Sequence, residues 1–252
     1  MTLPGWIYPL LFVGALLAGW VDSIAGGGGL VTLPLLLWVG IPAPMVLGTN
    51  KFQSSFGSFT AAYYYRRRAL VSIRDALPGV IFTLIGAAGG TLAVEQISGD
   101  MLGGMIPVLL LLIALYMLFT PTVGLKPSHA RFSRMAFYVL FGLALGFYDG
   151  MFGPGVGSFW AIAFVFGLGF DLTRATGYTK VMNFVSNVVS LLLFLAGGRV
   201  LFAVGIIMAV GQAIGARIGS AMVISRGVRF IRPVFMSMVI LTTLKLLYNR
   251  YF

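Results

Sequence analysis

The sequence predicts an all-α, polytopic membrane protein, and its composition and hydropathy pattern support that prediction. Of the 252 residues, 59% are hydrophobic and only 9% are charged, whereas soluble domains carry about 25% charged residues. The apolar stretches are also long and continuous, while the strands of a membrane barrel alternate apolar and polar residues over about 10 positions. A soluble globule is therefore excluded, and the apolar stretches leave no room for a soluble catalytic domain.

Turn and charge signals divide the chain into apolar segments, which fall into two groups of five. We predict an N-terminal membrane repeat at 1–119, a cytoplasmic linker at 120–134 and a C-terminal membrane repeat at 135–252. Eight to ten of the segments are expected to cross the membrane. The approximate ranges of the ten segments are 6–21, 29–40, 43–65, 72–95, 101–119, 133–148, 154–168, 172–196, 201–224 and 228–249.

The two halves share motifs that indicate an internal duplication. GWVDSIAGGG at 19–28 and GFYDGMFGPG at 146–155 both fit the pattern G-x-x-D-x-x-x-G-x-G. TNKFQSSFGS around Lys51 corresponds to YTKVMNFVSN around Lys180, and a pair of glycines follows in each half. The landmarks occur in the same order and at nearly the same spacing, so we predict two structural repeats.

The basic residues predict how the repeats are oriented. Cytoplasmic loops of membrane proteins are enriched in Lys and Arg, so the basic loops of this chain are expected in the cytoplasm. Counting membrane crossings from these loops places both termini on the extracytoplasmic side. Because each repeat has five segments, the second would be inverted relative to the first, an architecture typical of secondary transporters. The net charge of +11 thus reflects topology, and no nucleic-acid partner is predicted. The loop residues that carry this prediction are Arg66, Arg67, Arg68, Arg74, Lys126, Arg131, Arg134, Arg226, Arg229 and Arg232.

Each repeat begins with a short segment pair that is expected to be re-entrant. The segment 6–21 would be about 24 Å long as a helix, less than the roughly 30 Å hydrocarbon core, and the next segment is shorter. The turns at 22–29 and 149–157 are therefore predicted to lie within the membrane, entering from opposite faces. Unwound backbone at that depth occurs where it lines a cavity or is buried in protein.

The glycine-rich turns offer backbone N–H groups at helix N-termini, which suits an anion. The alternative is that these glycines only permit close helix packing, which is the interpretation we favour for Gly86, Gly90, Gly211, Gly215 and Gly219. The glycines predicted to contact substrate are Gly26, Gly27, Gly28, Gly29, Gly153, Gly155 and Gly157.

Lys51 and Lys180 lie about nine residues into their segments, near the middle of the membrane. Each is followed at helical spacing by polar residues, Ser54 and Ser58 in one half and Asn183 and Asn187 in the other. An intramembrane lysine is costly and is by default a functional hypothesis. The alternatives are snorkelling to an interface or a structural ion pair with Asp22 or Asp149. The polar residues predicted to bind substrate are Asn50, Lys51, Gln53, Lys180, Asn183 and Asn187.

Asp22 and Asp149 have three candidate roles: bonding to the turn, pairing with a lysine, or carrying a coupling proton. A structural role in the turn or as a helix N-cap is the interpretation we favour. The sequence contains no Walker motif, Cys or His cluster, so no nucleotide-driven pump, enzyme, cofactor or metal site is predicted.

These motifs resemble those of the sulfite exporter TauE/SafE family of the toluene sulfonate uptake permease superfamily, in particular its YfcA-like bacterial members. The resemblance runs through both halves of the chain. It implies a multi-pass carrier of sulfur-containing anions in the bacterial inner (plasma) membrane, many family members acting in export. The resembling stretches are DSIAGGGGLVTLP at 22–34, GTNKFQSS at 48–55, GFYDGMFGPGVGSF at 146–159, TKVMNFVSN at 179–187, GGRV at 197–200 and GARIGS at 215–220.

We therefore expect a secondary transporter, and specifically an exporter, of sulfite or organosulfonates that works by alternating access. Its partners would be the small anionic substrate and the lipid bilayer, with a proton or sodium as the candidate coupling ion and a homodimer as the candidate assembly. Two alternatives stay open: a carrier or channel for another small anion, and a membrane scaffold that transports nothing.

Overall fold

The computed structural model describes residues 3–119 and 129–226, and these ranges are helical almost throughout, with no strand. The predicted all-α class is confirmed. Lys126, Arg229, Arg232, the predicted segment 228–249 and most of the predicted linker lie outside the described residues. The helices are α1 (Ile7–Ala25), α2 (Gly29–Trp38), α3 (Ala43–Arg67), α4 (Ile73–Glu95), α5 (Gly99–Phe119), α6 (Arg134–Phe137), a π-helical turn (Tyr138–Gly142), α7 (Leu143–Met151), α8 (Val156–Leu168), α9 (Leu172–Ala196) and α10 (Phe202–Arg226).

Among the described residues, four helices are long and apolar enough to cross a membrane, within α1, α4, α9 and α10. Helix α2 and helix α8 are apolar but short, with 10 and 13 residues. The prediction that the first helix is also too short is wrong, because α1 continues to Ala25. Asp22 lies inside α1, three residues before its end. Its side chain accepts hydrogen bonds from the turn that follows the helix.

Helix α3 is long enough to cross a membrane but carries its polar residues on the buried side. Its 25 residues span about 37 Å. Lys51 and Ser58 are buried, whereas Phe56 and Phe59 are 47% and 53% exposed. This inside-out distribution, apolar towards the exterior and polar within, is expected of a helix whose outer face contacts lipid. The predicted polar stripe therefore faces the interior.

Glycines bring two pairs of helices into backbone contact. A Cβ atom at Gly90 of α4 would lie 2.9 Å from the backbone nitrogen of Met151 in α7. A Cβ atom at Gly215 of α10 would lie 2.7 Å from the backbone nitrogen of Trp20 in α1. Small residues permit such close approach in membrane helices. The packing interpretation is confirmed for Gly86, Gly90, Gly211, Gly215 and Gly219.

Helices of the two sequence halves are interleaved. Helix α1 packs against α10, α10 also packs against α3, and these three form what we call the first bundle. Helix α7 packs against α4, α4 also packs against α9, and these three form the second bundle. The two bundles meet where α3 contacts α9. Each bundle therefore contains helices from both halves, and the packing partners of one half match those of the other.

Candidate functional site

The two glycine-rich turns meet at the interface of the bundles. Gly26 and Gly27, with φ angles of +72° and +121°, form the turn between α1 and α2 in conformations that favour glycine. A Cβ atom at Gly157, the second residue of α8, would lie 2.6 Å from the Cα of Gly26. The Ser158 hydroxyl donates to the Gly26 carbonyl over 3.5 Å. The two turns are thus in direct backbone contact.

The first of two buried ion pairs joins α3 to α7. The Lys51 Nζ lies 2.7 Å from the Asp149 Oδ1, with side chains only 1% and 4% exposed. Lys51 also donates to the backbone carbonyl of Asp149. The other carboxylate oxygen of Asp149 accepts a hydrogen bond from the Ser186 hydroxyl. Asp149 is therefore held by an ammonium and a hydroxyl, and the alternative of an ion pair with the lysine is realised.

The second ion pair joins α9 to α1. The Lys180 Nζ lies 3.0 Å from the Asp22 Oδ2. The Asp22 Oδ1 accepts from the backbone N–H groups of Gly27 and Gly28, over 3.0 and 3.1 Å. The favoured turn role of Asp22 is thus observed together with an ion pair. Lys180 is fully buried, whereas the Asp22 side chain is 17% exposed.

The two aspartates have different surroundings because one serine has no counterpart. Ser186, which bonds to Asp149, lies six residues after Lys180, and the residue six after Lys51 is Gly57. The Gln212 side chain packs over this glycine, with Nε2 3.0 Å from where a Cβ would stand. Asp22 therefore takes its additional donors from backbone and not from a hydroxyl on the facing helix.

A small polar cavity of about 30 Å³ lies between the turns and the ion pairs. This volume accommodates about two water molecules. Ser54 and Val156 line the cavity without having been predicted as site residues, although Ser54 belonged to the predicted polar stripe. The predicted residues that line the cavity are Asp22, Gly27, Gly28, Gly29, Asn50, Lys51, Asp149, Gly153, Asn183 and Asn187.

The other predicted site residues lie beside the cavity. Lys180 and Gln53 reach it only through Asp22 and Asn50, to which they donate. Gly26 and Gly157 form the backbone contact described above. Gly155, in the left-handed region with φ +74°, faces Ile113 of α5. These five residues shape or orient the cavity lining and do not form it.

The Asn50 side chain is oriented by two donors. Its Oδ1 accepts from the Thr32 hydroxyl over 2.6 Å and from the Gln53 Nε2 over 2.8 Å. Because both neighbours donate to the oxygen, the amide orientation is defined and the Nδ2 group faces the other way. This Nδ2 lies 3.9 Å from the position that a Cβ atom of Gly29 would occupy. Sequence reasoning missed Thr32; its signal is a lone hydroxyl in the apolar helix α2.

Chemically, the site is a set of hydrogen-bond donors around oxygen atoms that carry negative charge. Two ammonium groups, two backbone N–H groups and a hydroxyl bond to the two carboxylates, and amide groups lie alongside. Charge-assisted bonds of this kind are the strong ones in proteins. Because two lysines face two aspartates, the formal charges of the four groups cancel.

Apolar helices around a buried polar centre define a multi-pass membrane protein with an internal polar site, the general form of a transporter. The sequence matches the family model described as sulfite exporter TauE/SafE over residues 11–246. The chain therefore belongs to this family of membrane transporters, which are not enzymes, and the resemblance found in the motifs is confirmed.

Three curated relatives agree with this assignment. The probable membrane transporter protein YfcA of Escherichia coli K12 is 43% identical over 240 residues, 95% of this chain and 89% of the relative. A probable membrane transporter protein of Haemophilus influenzae is 43% identical over 241 residues, 96% of this chain and 94% of the relative. The probable membrane transporter protein ORF9 of Sinorhizobium sp is 42% identical over 237 residues, 94% of this chain and 91% of the relative. No solved structure matches the chain.

Proposed function

We propose that this protein is a secondary transporter that exports small sulfur-containing anions, such as sulfite or organosulfonates, across the bacterial inner membrane. The observation that carries the proposal is the donor set around the Asp22 carboxylate, namely Lys180 and the N–H groups of Gly27 and Gly28. Sulfite and sulfonate groups resemble a carboxylate in presenting charged oxygens that accept hydrogen bonds. The family description as sulfite exporters supports both the substrate class and the direction.

Both halves of the chain supply donors that suit such an anion. Lys51 and Asn50 come from α3, and Asn183 and Asn187 come from α9. All four line the same cavity, so one small anion would contact both bundles at once. A ligand that contacts two bodies differently in two conformations is what shifts their equilibrium.

We further propose that the two repeats are inverted and that transport follows alternating access. The moving units would be the first and second bundles and not the two sequence halves, because glycine contacts hold α1 to α10 and α4 to α7 across the halves. Both ion pairs join the first bundle to the second. Rocking of one bundle against the other would therefore require at least one of these pairs to rearrange.

The test is anion uptake by liposomes that contain the purified protein. Sulfite, thiosulfate, methanesulfonate and sulfoacetate are offered in turn, with acetate as the comparison anion. The wild type should take up at least one sulfur anion in exchange for the same anion loaded inside the liposomes. The double variant Lys51→Ala, Lys180→Ala should lose this uptake, whereas Arg74→Ala, which removes an exposed charge, should keep it.

Other outcomes separate the remaining functions. Preference for acetate would indicate a carrier for other anions, and conduction far above carrier rates without exchange would indicate a channel. No flux with any anion, together with recovery of a stable partner protein, would favour a scaffold. Full activity of the double lysine variant would refute the proposed site even where a sulfur anion is transported.

A further inference from the structure

We propose that the Asp22 carboxylate occupies the substrate's own anion site, and that the arriving anion displaces it. Asp22 then takes up one proton, so that one proton crosses the membrane with each anion. This inference rests on the proposed function, and it adds the coupling ion and the residue that carries it. It assigns different tasks to two aspartates that occupy corresponding positions in the two motifs.

The contacts of Asp22 are those expected of a bound anion. One oxygen accepts from two successive backbone N–H groups of the turn immediately before α2, and the other is bonded to the Lys180 ammonium. Backbone N–H groups at a helix N-terminus and an adjacent ammonium form a general oxyanion site. The donors predicted for substrate are therefore already engaged by a side chain of the same molecule.

The charges of the site then require compensation. Lys51, Lys180, Asp22 and Asp149 cancel formally, so a monovalent anion brings the site to a net charge of −1. An anion that takes the donors of Asp22 leaves this carboxylate without a cation or N–H partner, and an unpaired buried charge is costly. Uptake of a proton from water by the displaced carboxylate forms an O–H bond and returns the site to neutrality.

Asp22, and not Asp149, suits this role because it is the more accessible of the two. Its side chain is 17% exposed and that of Asp149 is 4% exposed. Asp149 is also bonded to Ser186, for which the other half has Gly57. Lys51 bonds both the side chain and the backbone of Asp149. The pair Lys51–Asp149 would therefore persist while the pair Lys180–Asp22 opens.

The other helices around Asp22 contribute few ionisable side chains. None of these side chains replaces Asp22 as the carboxylate that can exchange Lys180 for a proton. Helix α9 contributes Lys180, and helix α3 contributes Lys51 on the same cavity and Tyr65, whose hydroxyl donates to the Ser23 carbonyl. On α10, the Arg217 guanidinium lies over the ring of Tyr64. Helices α2 and α8 have no ionisable side chain.

The experiment compares anion flux with proton flux in the same liposomes. The probe is a monovalent anion that the wild type transports, hydrogen sulfite or methanesulfonate, with a trapped pH dye and a potassium-valinomycin clamp. Asp22→Asn is compared with wild type at matched anion flux, so that protons carried by a weak acid such as sulfite cancel. Asp149→Asn is the matched control.

The wild type should move about one proton with each anion. Because binding takes up a proton, its apparent anion affinity should fall about tenfold for each unit by which the pH rises. Whatever anion exchange Asp22→Asn retains should carry at most about a tenth of the wild-type proton flux per anion, and its anion binding should depend little on pH. Whatever flux Asp149→Asn retains should still carry its proton.

Three results would overturn the inference. They are wild-type anion flux without proton flux, undiminished proton flux in Asp22→Asn, and loss of coupling in Asp149→Asn alone. The first decides the matter even where Asp22→Asn does not fold. Absence of any anion exchange by the wild type would instead refute the proposed function itself, and so separates the two failures.

Discussion

Gly26 and Gly157 touch backbone to backbone, although 130 residues lie between them in the sequence. A Cβ atom at Gly26 would lie 2.6 Å from the backbone nitrogen of Ser158, and one at Gly157 would lie 2.6 Å from the Cα of Gly26. Real Cβ atoms do not approach other atoms so closely. The contact between the two turns, and hence the shape of the cavity, therefore depends on the absence of both side chains.

Gly157→Ala should lower the thermal unfolding temperature in detergent by several degrees and abolish transport. Its methyl group would meet backbone, which cannot move aside as a flexible side chain can, and overpacking of this kind costs roughly 1–3 kcal/mol. Gly29→Ala is the matched control for stability, because its Cβ would only make an ordinary 3.6 Å contact with Pro154. An equal loss of stability in both variants would contradict this account.

The glycines of α4 give a second comparison within one helix. Gly90→Ala should destabilise the protein by about 1–3 kcal/mol, because its Cβ would press on the backbone of α7. Gly89→Ala should leave stability unchanged or raise it slightly, since its Cβ would lie 3.6 Å from the Phe147 ring and alanine favours helix. Thermal unfolding of the two variants in the same detergent decides this, and reversal of their order would refute it.

Lys51→Met should destabilise the protein strongly, because it leaves the buried Asp149 carboxylate without its cation. Removing one member of a buried ion pair costs about 3–5 kcal/mol. Adding Asp149→Asn to Lys51→Met should restore part of this loss, since no unpaired charge then remains. Both variants should be inactive in transport. A double variant less stable than Lys51→Met would show that the pair is not what holds these groups.

The sequence predicted much of this architecture because membrane helices follow directly from hydropathy and charge. The duplication located both turns and both lysines, and the polar stripe of α3 faces inward as its spacing indicated. The packing glycines were also identified, since their spacing repeats in α4 and α10. The inverted orientation of the repeats stays a prediction.

The pairing of charges could not be read from the sequence. Lys51 bonds to an aspartate 98 residues away and Lys180 to one 158 residues away, and nothing local distinguishes these partners from the reverse assignment. The length of α1 was misjudged because aspartate and glycine together resemble a helix end. The role of Gly57 also depends on Gln212, whose position over it is set by packing of α10.

Asn50→Asp should weaken anion binding by at least about tenfold, the equivalent of 1.4 kcal/mol. The substitution replaces the amide N–H donor beside Gly29 with a negatively charged oxygen, which cannot donate a hydrogen bond to an anion and repels it. Thr32→Val should weaken binding less, because it removes only one of the two donors that orient the amide. Thermal shift with the transported anion measures both through mass action. Unchanged binding in Asn50→Asp would remove Asn50 from the site.

Membrane sidedness can be tested directly, because the sequence contains no Cys. Arg134 forms an ion pair with Asp75 at 3.0 Å, which brings the loop before α4 and the loop before α6 to the same face. Glu95 at the end of α4 adjoins Gly197 after α9, at the other face. In whole cells, an impermeant maleimide should label Ser98→Cys from outside and leave Ala130→Cys unlabelled until the membrane is permeabilised. The reverse pattern would place the arginine-rich loops outside, and labelling of both from one side would remove the basis for the inverted orientation of the repeats.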